Sequence, residues 1–131
     1  MTASTPTRTT VTSIGVTMFT VADQDAAIAF YTQKLGWELR GDTTFGENGE
    51  NRWVEVAPPG STARLALNPP MGDQPGGGGI GVETPDVRAE HARLTAIGGI
   101  DIDDVMEAPG APTLFMMRDL DGNHLAVVEV P

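Results

Sequence analysis

The chain contains no cysteine, and only two of its 131 residues are histidine. Without cysteine there can be no disulfide, no thiolate nucleophile and no cysteine-bound zinc or iron–sulfur cluster. With His91 and His124 as the whole histidine supply, few groups remain for histidine-based metal binding or proton transfer. No Gly-x-Ser-x-Gly turn and no convincing Ser-His-Asp set occurs, so we find no nucleophilic catalytic centre.

Basic residues are also scarce. Eight lysines and arginines stand against 18 acidic residues, which gives a net charge of −10. A surface this negative repels phosphate backbones, so we do not expect nucleic acid to be a partner. The same charge attracts cationic ligands. Lysine occurs once, at Lys34, a bias that together with abundant alanine, glycine and aspartate suggests a GC-rich bacterial genome.

Long apolar runs are missing as well. None approaches the roughly 20 residues that a membrane-spanning helix needs, and the opening residues lack the basic-then-apolar order of a secretory signal. We therefore expect no membrane partner and a cytoplasmic location. A hydrophobic fraction of 40% and a charged fraction of 20% are instead typical of one globular domain with its own core.

What the chain does contain is one pattern of elements that occurs twice. The two predicted helix caps, Asp23 and Asp86, are 63 residues apart, and the glycines after the two helices, Gly36 and Gly99, are also 63 residues apart. After a tail at 1–12, expected to be flexible, the first copy predicts a strand at 14–21, a helix at 26–35 and strands at 37–45, 52–57 and 63–68. The second predicts a strand at 79–84, a helix at 87–97 and strands at 100–107, 113–118 and 124–130. The predicted fold class is therefore α+β, with two βαβββ modules at 13–70 and 78–130 and a Gly- and Pro-rich linker at 69–79.

Two stretches resemble a known family. Val21-Ala-Asp-Gln-Asp-Ala-Ala-Ile-Ala-Phe-Tyr-Thr-Gln-Lys-Leu-Gly-Trp37 combines a helix-capping Asp, a Phe-Tyr pair seven residues later and a Leu-Gly-aromatic ending. The ending Arg118-Asp-Leu-Asp-Gly-Asn-His-Leu-Ala-Val-Val-Glu129 has the form of the family's last turn and strand. The chain thus resembles the vicinal oxygen chelate superfamily of glyoxalase I, extradiol dioxygenases and bleomycin-resistance proteins. The resemblance implies a pseudo-twofold pair of modules whose mixed sheets curl into a cup around a ligand.

The same resemblance implies where a metal would be held. Metal-dependent members of the family place one ligand on each of four strands that line the cup, and these positions fall here at Val16, Ala66, Gly79 and Ala126. None of these side chains carries the nitrogen or oxygen donor that a metal ion needs. We therefore expect no metal and no other cofactor. His91 is expected to be a partly buried helix residue rather than a ligand.

Strand alternation extends these positions to their neighbours on the same face of each sheet. The small residues among them leave volume for an organic molecule rather than an ion. Arg64 could hold a carboxylate or pair with Glu83, and Glu55 could face either side. His124 is the one weak catalytic candidate, with Glu83 to orient it, and could equally be a solvent-exposed residue at a strand end. The expected ligand-binding residues are Val16, Met18, Arg64, Ala66, Asn68, Gly79, Gly81, Glu83, His124 and Ala126.

The leading interpretation is a metal-free binding protein, similar to the bleomycin-resistance type, that sequesters a drug or metabolite in an apolar cup. The negative charge favours a cationic ligand. The alternative is a glyoxalase-like lyase or isomerase, either acting through His124 without metal or metal-dependent if the four ligand positions are misaligned. A third reading is a structural or regulatory module without a ligand. Open strand edges and the family resemblance further imply a homodimer with cups built across the interface. The halves of a cup close either within one chain or with a second chain, and the glycines at 76–79 are where a chain could cross between partners.

Overall fold

The first half of the chain forms one strand, one helix and three further strands. The computed structural model describes residues 7–72 and 74–131, so the expectations for the tail at 1–12 and for the linker at 69–79 extend partly outside the described residues. The elements are β1 (Val16–Thr20), α1 (Gln24–Ala29), β2 (Glu38–Phe45), β3 (Asn51–Ala57) and β4 (Arg64–Asn68). A π-helical turn, Phe30–Lys34, continues α1.

The second half repeats this order. Its elements are β5 (Gly79–Thr84), α2 (Val87–Ile97), β6 (Asp101–Ile102), β7 (Leu114–Arg118) and β8 (His124–Glu129). The strand predicted at 100–107 is wrong in extent, because only two of its residues pair as a strand and Met106 makes a single isolated bridge to Leu114. The predicted bounds of β5 and α2 are confirmed.

Each half makes a mixed four-stranded sheet of the same topology. The strand orders are β1-β4-β3-β2 and β5-β8-β7-β6. The pairs β1–β4 and β5–β8 are parallel, and the other pairs are antiparallel. Val16 pairs with Arg64 in the first sheet as Gly79 pairs with His124 in the second. The predicted α+β fold of two βαβββ modules is confirmed. Among the described residues no helix is long and apolar enough to cross a membrane.

Short polar caps fix where the helices begin. The side chain of Asp23 accepts a hydrogen bond from the Ala26 amide at 3.0 Å, and Asp86 does the same for Ala89 at 3.0 Å. An N-cap carboxylate satisfies an amide that has no partner within the helix. Glycine ends both, since Gly36 and Gly98 have φ of 78° and 77°, a backbone conformation that glycine adopts without a Cβ penalty.

The two modules share one hydrophobic core. Alternate residues of each sheet face the helices, and the buried members form a single cluster across both modules. A polar contact fixes the modules to each other: the buried Tyr31 hydroxyl donates to Asp119 Oδ2 at 2.9 Å, across 88 residues of sequence. Asn123 then donates to that carboxylate at 3.0 Å and to the Thr20 carbonyl at 3.1 Å.

The end of the linker is held against both modules. The Gly76 amide donates to the Thr20 carbonyl at 3.1 Å, and the Gly78 amide donates to Asn123 Oδ1 at 3.0 Å. A Cβ at residue 78 would lie only 2.5 Å from Phe19 Cδ1. Glycine is therefore needed at position 78 for close approach of the backbone, whereas the turn of the chain just before it uses the positive φ of Gly76 and Gly77, 95° and 82°.

Candidate functional site

The face of the first sheet that points away from α1 carries a row of predicted site residues. Met18 and Glu55 pair with Ala66 from either side, so the three side chains lie side by side. Ala66 is fully buried in this row, whereas Met18 is 64% exposed. We call this surface, together with its counterpart in the second sheet, the cup faces. The strand pairing places four residues on one face of the sheet, as predicted: Val16, Met18, Arg64 and Ala66.

Glu55 is the polar centre of the first cup face. One carboxylate oxygen accepts from Arg64 Nε at 2.7 Å and the other from Trp53 Nε1 at 2.8 Å. Strand alternation in β3 left the direction of Glu55 open, and its pairing with Ala66 places it on the cup face. Arg64 therefore forms its ion pair with Glu55 rather than with Glu83.

The second cup face is made largely of small residues. Gly81 pairs with Ala126 and Glu83 with Val128, so these side chains share a face with Gly79 and His124. A Cβ at Gly79 or Gly81 would meet nothing within 4 Å. This part of the sheet therefore faces open space.

A cleft separates the edges of β1 and β5. Its volume is about 800 Å³, within the size range of small-molecule sites. On one side lie Trp37, the loop at 58–61 and Arg64, and on the other the strand Gly79–Glu83. A smaller cavity of about 380 Å³ adjoins it, sharing Trp37 and Glu83 and reaching Arg93. The cleft thus combines an indole ring, prolines and bare strand backbone with few charged groups.

Four of the predicted site residues line the cleft: Arg64, Gly79, Gly81 and Glu83. The other six lie on the cup faces outside it: Val16, Met18, Ala66, Asn68, His124 and Ala126. Among them Asn68 has a buried side-chain oxygen without a hydrogen-bond partner in the described residues. Trp37 and the loop at 58–61 were not among the expected ligand-binding residues. Their signal was the Leu-Gly-aromatic ending of the first helix and the Pro-Pro-Gly turn, each of which also fits a purely structural role.

The structure does not bring His124 and Glu83 together. His124 pairs with Gly79 at one end of β5, and Glu83 lies four residues further along that strand, a distance of about 13 Å. The suggested base and orienting acid therefore do not form a pair. The imidazole is exposed at the start of β8, as expected for a residue at a strand end.

A charged cluster lies beside His124 instead. Arg118, its register partner, donates to Asp101 at 2.8 Å and to Asp103 at 2.7 Å. These hydrogen bonds lower the pKa of both carboxyl groups and raise the pKa of the Arg118 guanidinium. His91 is partly buried on α2, 2.8 Å from the Asp103 carbonyl and 5.0 Å from the Phe115 ring centroid, which confirms the expected helix residue.

The residues at the family's metal-ligand positions do not fit a metal ion. The side chains of Val16, Ala66, Gly79 and Ala126 carry no donor atom, and the carboxylate beside Ala66, that of Glu55, already accepts hydrogen bonds from Arg64 and Trp53. Within 7–72 and 74–131, no three His, Asp or Glu side chains lie close enough together to hold one. Metal ions need several such donors.

A duplicated βαβββ module with a cleft between its copies defines the class of protein. The model of the Glyoxalase/Bleomycin resistance protein/Dioxygenase superfamily matches residues 13–127, and the chain belongs to that family. The antibiotic binding protein TnmS3 from Streptomyces sp. CB03234 is 28% identical and superposes with a TM-score of 0.82, over 95% of this chain and 100% of that one.

Two further relatives agree. A member of the superfamily from Sphaerobacter thermophilus is 29% identical, with a TM-score of 0.82 over 92% of this chain and 98% of its own. The uncharacterized protein YetH of Bacillus subtilis is 29% identical over 125 residues, which cover 88% of this chain and 97% of that protein.

Proposed function

We propose that the protein binds and sequesters a small organic molecule in the cleft between its two modules. The observation that carries the proposal is the cleft itself, about 800 Å³ in volume, with Trp37 on one wall and Gly79 and Gly81 on the other. Apolar clefts of this size with a few directed polar groups are the usual form of small-molecule sites. The similarity to TnmS3, described as an antibiotic binding protein, supports an antibiotic-like compound as the ligand.

Binding is proposed to need no metal ion. The four family ligand positions hold Val, Ala, Gly and Ala, and Glu55 is occupied by its two hydrogen bonds. The residues that remain on the cup faces act through shape and apolar contact.

The absence of cysteine fits a cytoplasmic protein, since disulfides are rare in that compartment.

A positively charged group on the ligand fits the Glu83 wall of the cleft. Glu83 lines both cavities and forms no ion pair within the described part of the chain. Trp37 lines the same two cavities, and an indole face attracts cations. The net charge of −10 raises the local concentration of cations around the whole molecule.

We further propose a homodimer whose cups are completed by the partner. β1 and β5 are both edge strands of their sheets, and Met18 beside the β1 edge is 64% exposed. Free edges and exposed apolar side chains favour association. Because each chain carries −10, raised salt should tighten the dimer by screening repulsion. Sedimentation at two salt concentrations tests this, and the mass of one chain in both buffers would end the proposal.

Calorimetry and thermal-shift screening test the binding function. Chelator-treated protein is titrated with cationic glycopeptides and aromatic antibiotics, with nickel, zinc and manganese as separate additions. We expect at least one compound to raise the melting temperature, because a ligand that binds only the folded state must do so, and we expect the metals to leave it unchanged. One equivalent of metal per chain, or turnover of a thiol adduct without stabilisation by any compound, would favour the lyase alternative and contradict the proposal.

A further inference from the structure

The Arg64 guanidinium is held by one edge only. Its Nε donates to Glu55 Oε1 at 2.7 Å, and Glu55 Oε2 accepts from Trp53 Nε1 at 2.8 Å. The Glu55 side chain is only 17% exposed, so both of its oxygens are committed inside the first cup face. This carboxylate therefore fixes the direction of Arg64 without covering the end of its guanidinium.

The outer edge of that guanidinium, Nη1 and Nη2, has no hydrogen-bond partner among residues 7–72 and 74–131. The side chain is 40% exposed and lines the cleft. Five other arginines behave differently, since each uses at least one Nη atom to bind a carboxylate or a backbone carbonyl: Arg40, Arg52, Arg88, Arg93 and Arg118. Arg64 thus presents two parallel N–H donors to the cleft.

We propose that the Nη1–Nη2 edge of Arg64 is a carboxylate-binding subsite, so that the ligand of the cleft carries a carboxylate on its apolar body. The inference rests on the proposed binding function and adds the chemical class of the ligand. The fork of a guanidinium matches the two oxygens of a carboxylate, and such charge-assisted pairs are stronger than neutral hydrogen bonds.

Other features of the cleft agree with a carboxylate at this position. Glu83, the other charged group of the larger cavity, belongs to the opposite module and is not paired with Arg64. A ligand with a carboxylate at Arg64 and a cationic group at Glu83 would satisfy both walls at once. Trp37 adds apolar surface to the wall of the cleft, and an ion pair beside apolar surface is screened less than one in bulk water.

The test compares two probes that differ only in charge, anthracene-2-carboxylate and anthracene-2-carboxamide, by fluorescence titration at pH 7. The wild-type chain should bind the carboxylate about ten- to a hundredfold more tightly than the amide. R64Q should abolish that preference, so that the two probes bind with equal affinity. R64K, which keeps the charge but loses the fork, should retain only part of the preference.

R88Q is the matched control, because it removes the same charge from an exposed residue of α2 that does not line the cleft. It should leave the preference as in wild type. Equal affinity of wild type for the two probes, or loss of the preference in both R88Q and R64Q, would overturn the carboxylate subsite and leave binding in the cleft standing. Failure of both probes to bind wild type at millimolar concentration would contradict the cleft as a binding site and the subsite with it.

Discussion

Replacing Tyr31 by Phe tests whether one buried hydrogen bond fixes the two modules to each other. Tyr31 is fully buried in the π-helical turn that continues α1, and its hydroxyl donates to Asp119 in the β7–β8 turn of the other module at 2.9 Å. Burial, together with the charge of Asp119, raises the pKa of Tyr31, so the phenol keeps its proton and remains a donor at neutral pH. Tyr31→Phe removes this donor and leaves the ring.

The expected cost follows from the surroundings of the carboxylate. Asp119 is 7% exposed and also accepts from the amides of Asp121 and Asn123 and from the Asn123 side chain. The charge therefore stays partly satisfied, and only the contribution of one hydrogen bond to a charged group is lost, about 1.5–3 kcal/mol. For a chain of this length that corresponds to a fall in melting temperature of about 8 °C at 2 kcal/mol.

Urea unfolding followed by far-UV circular dichroism measures the loss. Thr32→Val is the matched control, because the Thr32 hydroxyl donates to the Ile28 carbonyl within the same helical segment and does not join the modules. Its cost should stay below about 1 kcal/mol. If Tyr31→Phe were as stable as wild type, or no less stable than Thr32→Val, the buried contact would not hold the modules together.

Two further substitutions test packing and electrostatics. Gly78→Ala should lower the free energy of unfolding by about 1–3 kcal/mol, because its Cβ would lie 2.5 Å from Phe19. Gly79→Ala, whose Cβ would meet nothing within 4 Å, should change it by no more than about 0.5 kcal/mol. Equal losses of stability in urea unfolding would contradict the close approach at residue 78. Arg118 lowers the pKa of two carboxyl groups from 3.8, so they stabilise the fold above that pH and lose this contribution as pH falls through their lowered pKa values. In Arg118→Gln the free energy of unfolding should therefore fall less steeply below about pH 4 than in wild type. Arg88→Gln should keep the wild-type pH profile. Identical pH profiles for wild type and Arg118→Gln would refute the reasoning.

The duplicated fold was predictable because its signals are local and occur twice. The caps at Asp23 and Asp86 and the stops at Gly36 and Gly98 act within one turn of their helices, and both are found in the structure. The π-helical turn was not predicted. It is closed by a bond from the Leu35 amide to the Phe30 carbonyl, five residues apart. The turn contains two adjacent aromatic residues, Phe30 and Tyr31, and both are buried. Their burial depends on contacts with the other module, which no local sequence pattern reports.

The shortened sixth strand has a similar cause. The residues 100–107 alternate well enough for a strand, yet pairing stops after Ile102. Asp103 turns its carboxylate to Arg118 on the neighbouring strand. The Asp103 amide still donates to the Met116 carbonyl at 2.9 Å, so the end of this strand depends on contacts with a strand distant in the sequence, which no local pattern reports.

The candidate site was predictable by face but not by partner. Alternation placed Arg64 and Ala66 on one face, as the register has them. It did not place Glu55, and so suggested Glu83 as the partner of Arg64 instead of the neighbouring strand's carboxylate. The cleft itself depends on how the modules pack, and Trp37 enters it from the end of a helix whose sequence fits a structural role equally well.

Blocking the cleft tests its role as the binding site most directly. Gly81 lines it, and a side chain added there would enter open space, so Gly81→Trp should fold and fill the cavity. Met71→Trp, at a residue that is 98% exposed and outside the cleft, is the control. Calorimetric titration of chelator-treated protein with a compound found by the screen should give one binding site per chain in wild type and Met71→Trp, and no binding in Gly81→Trp. Unchanged binding in Gly81→Trp would contradict the account.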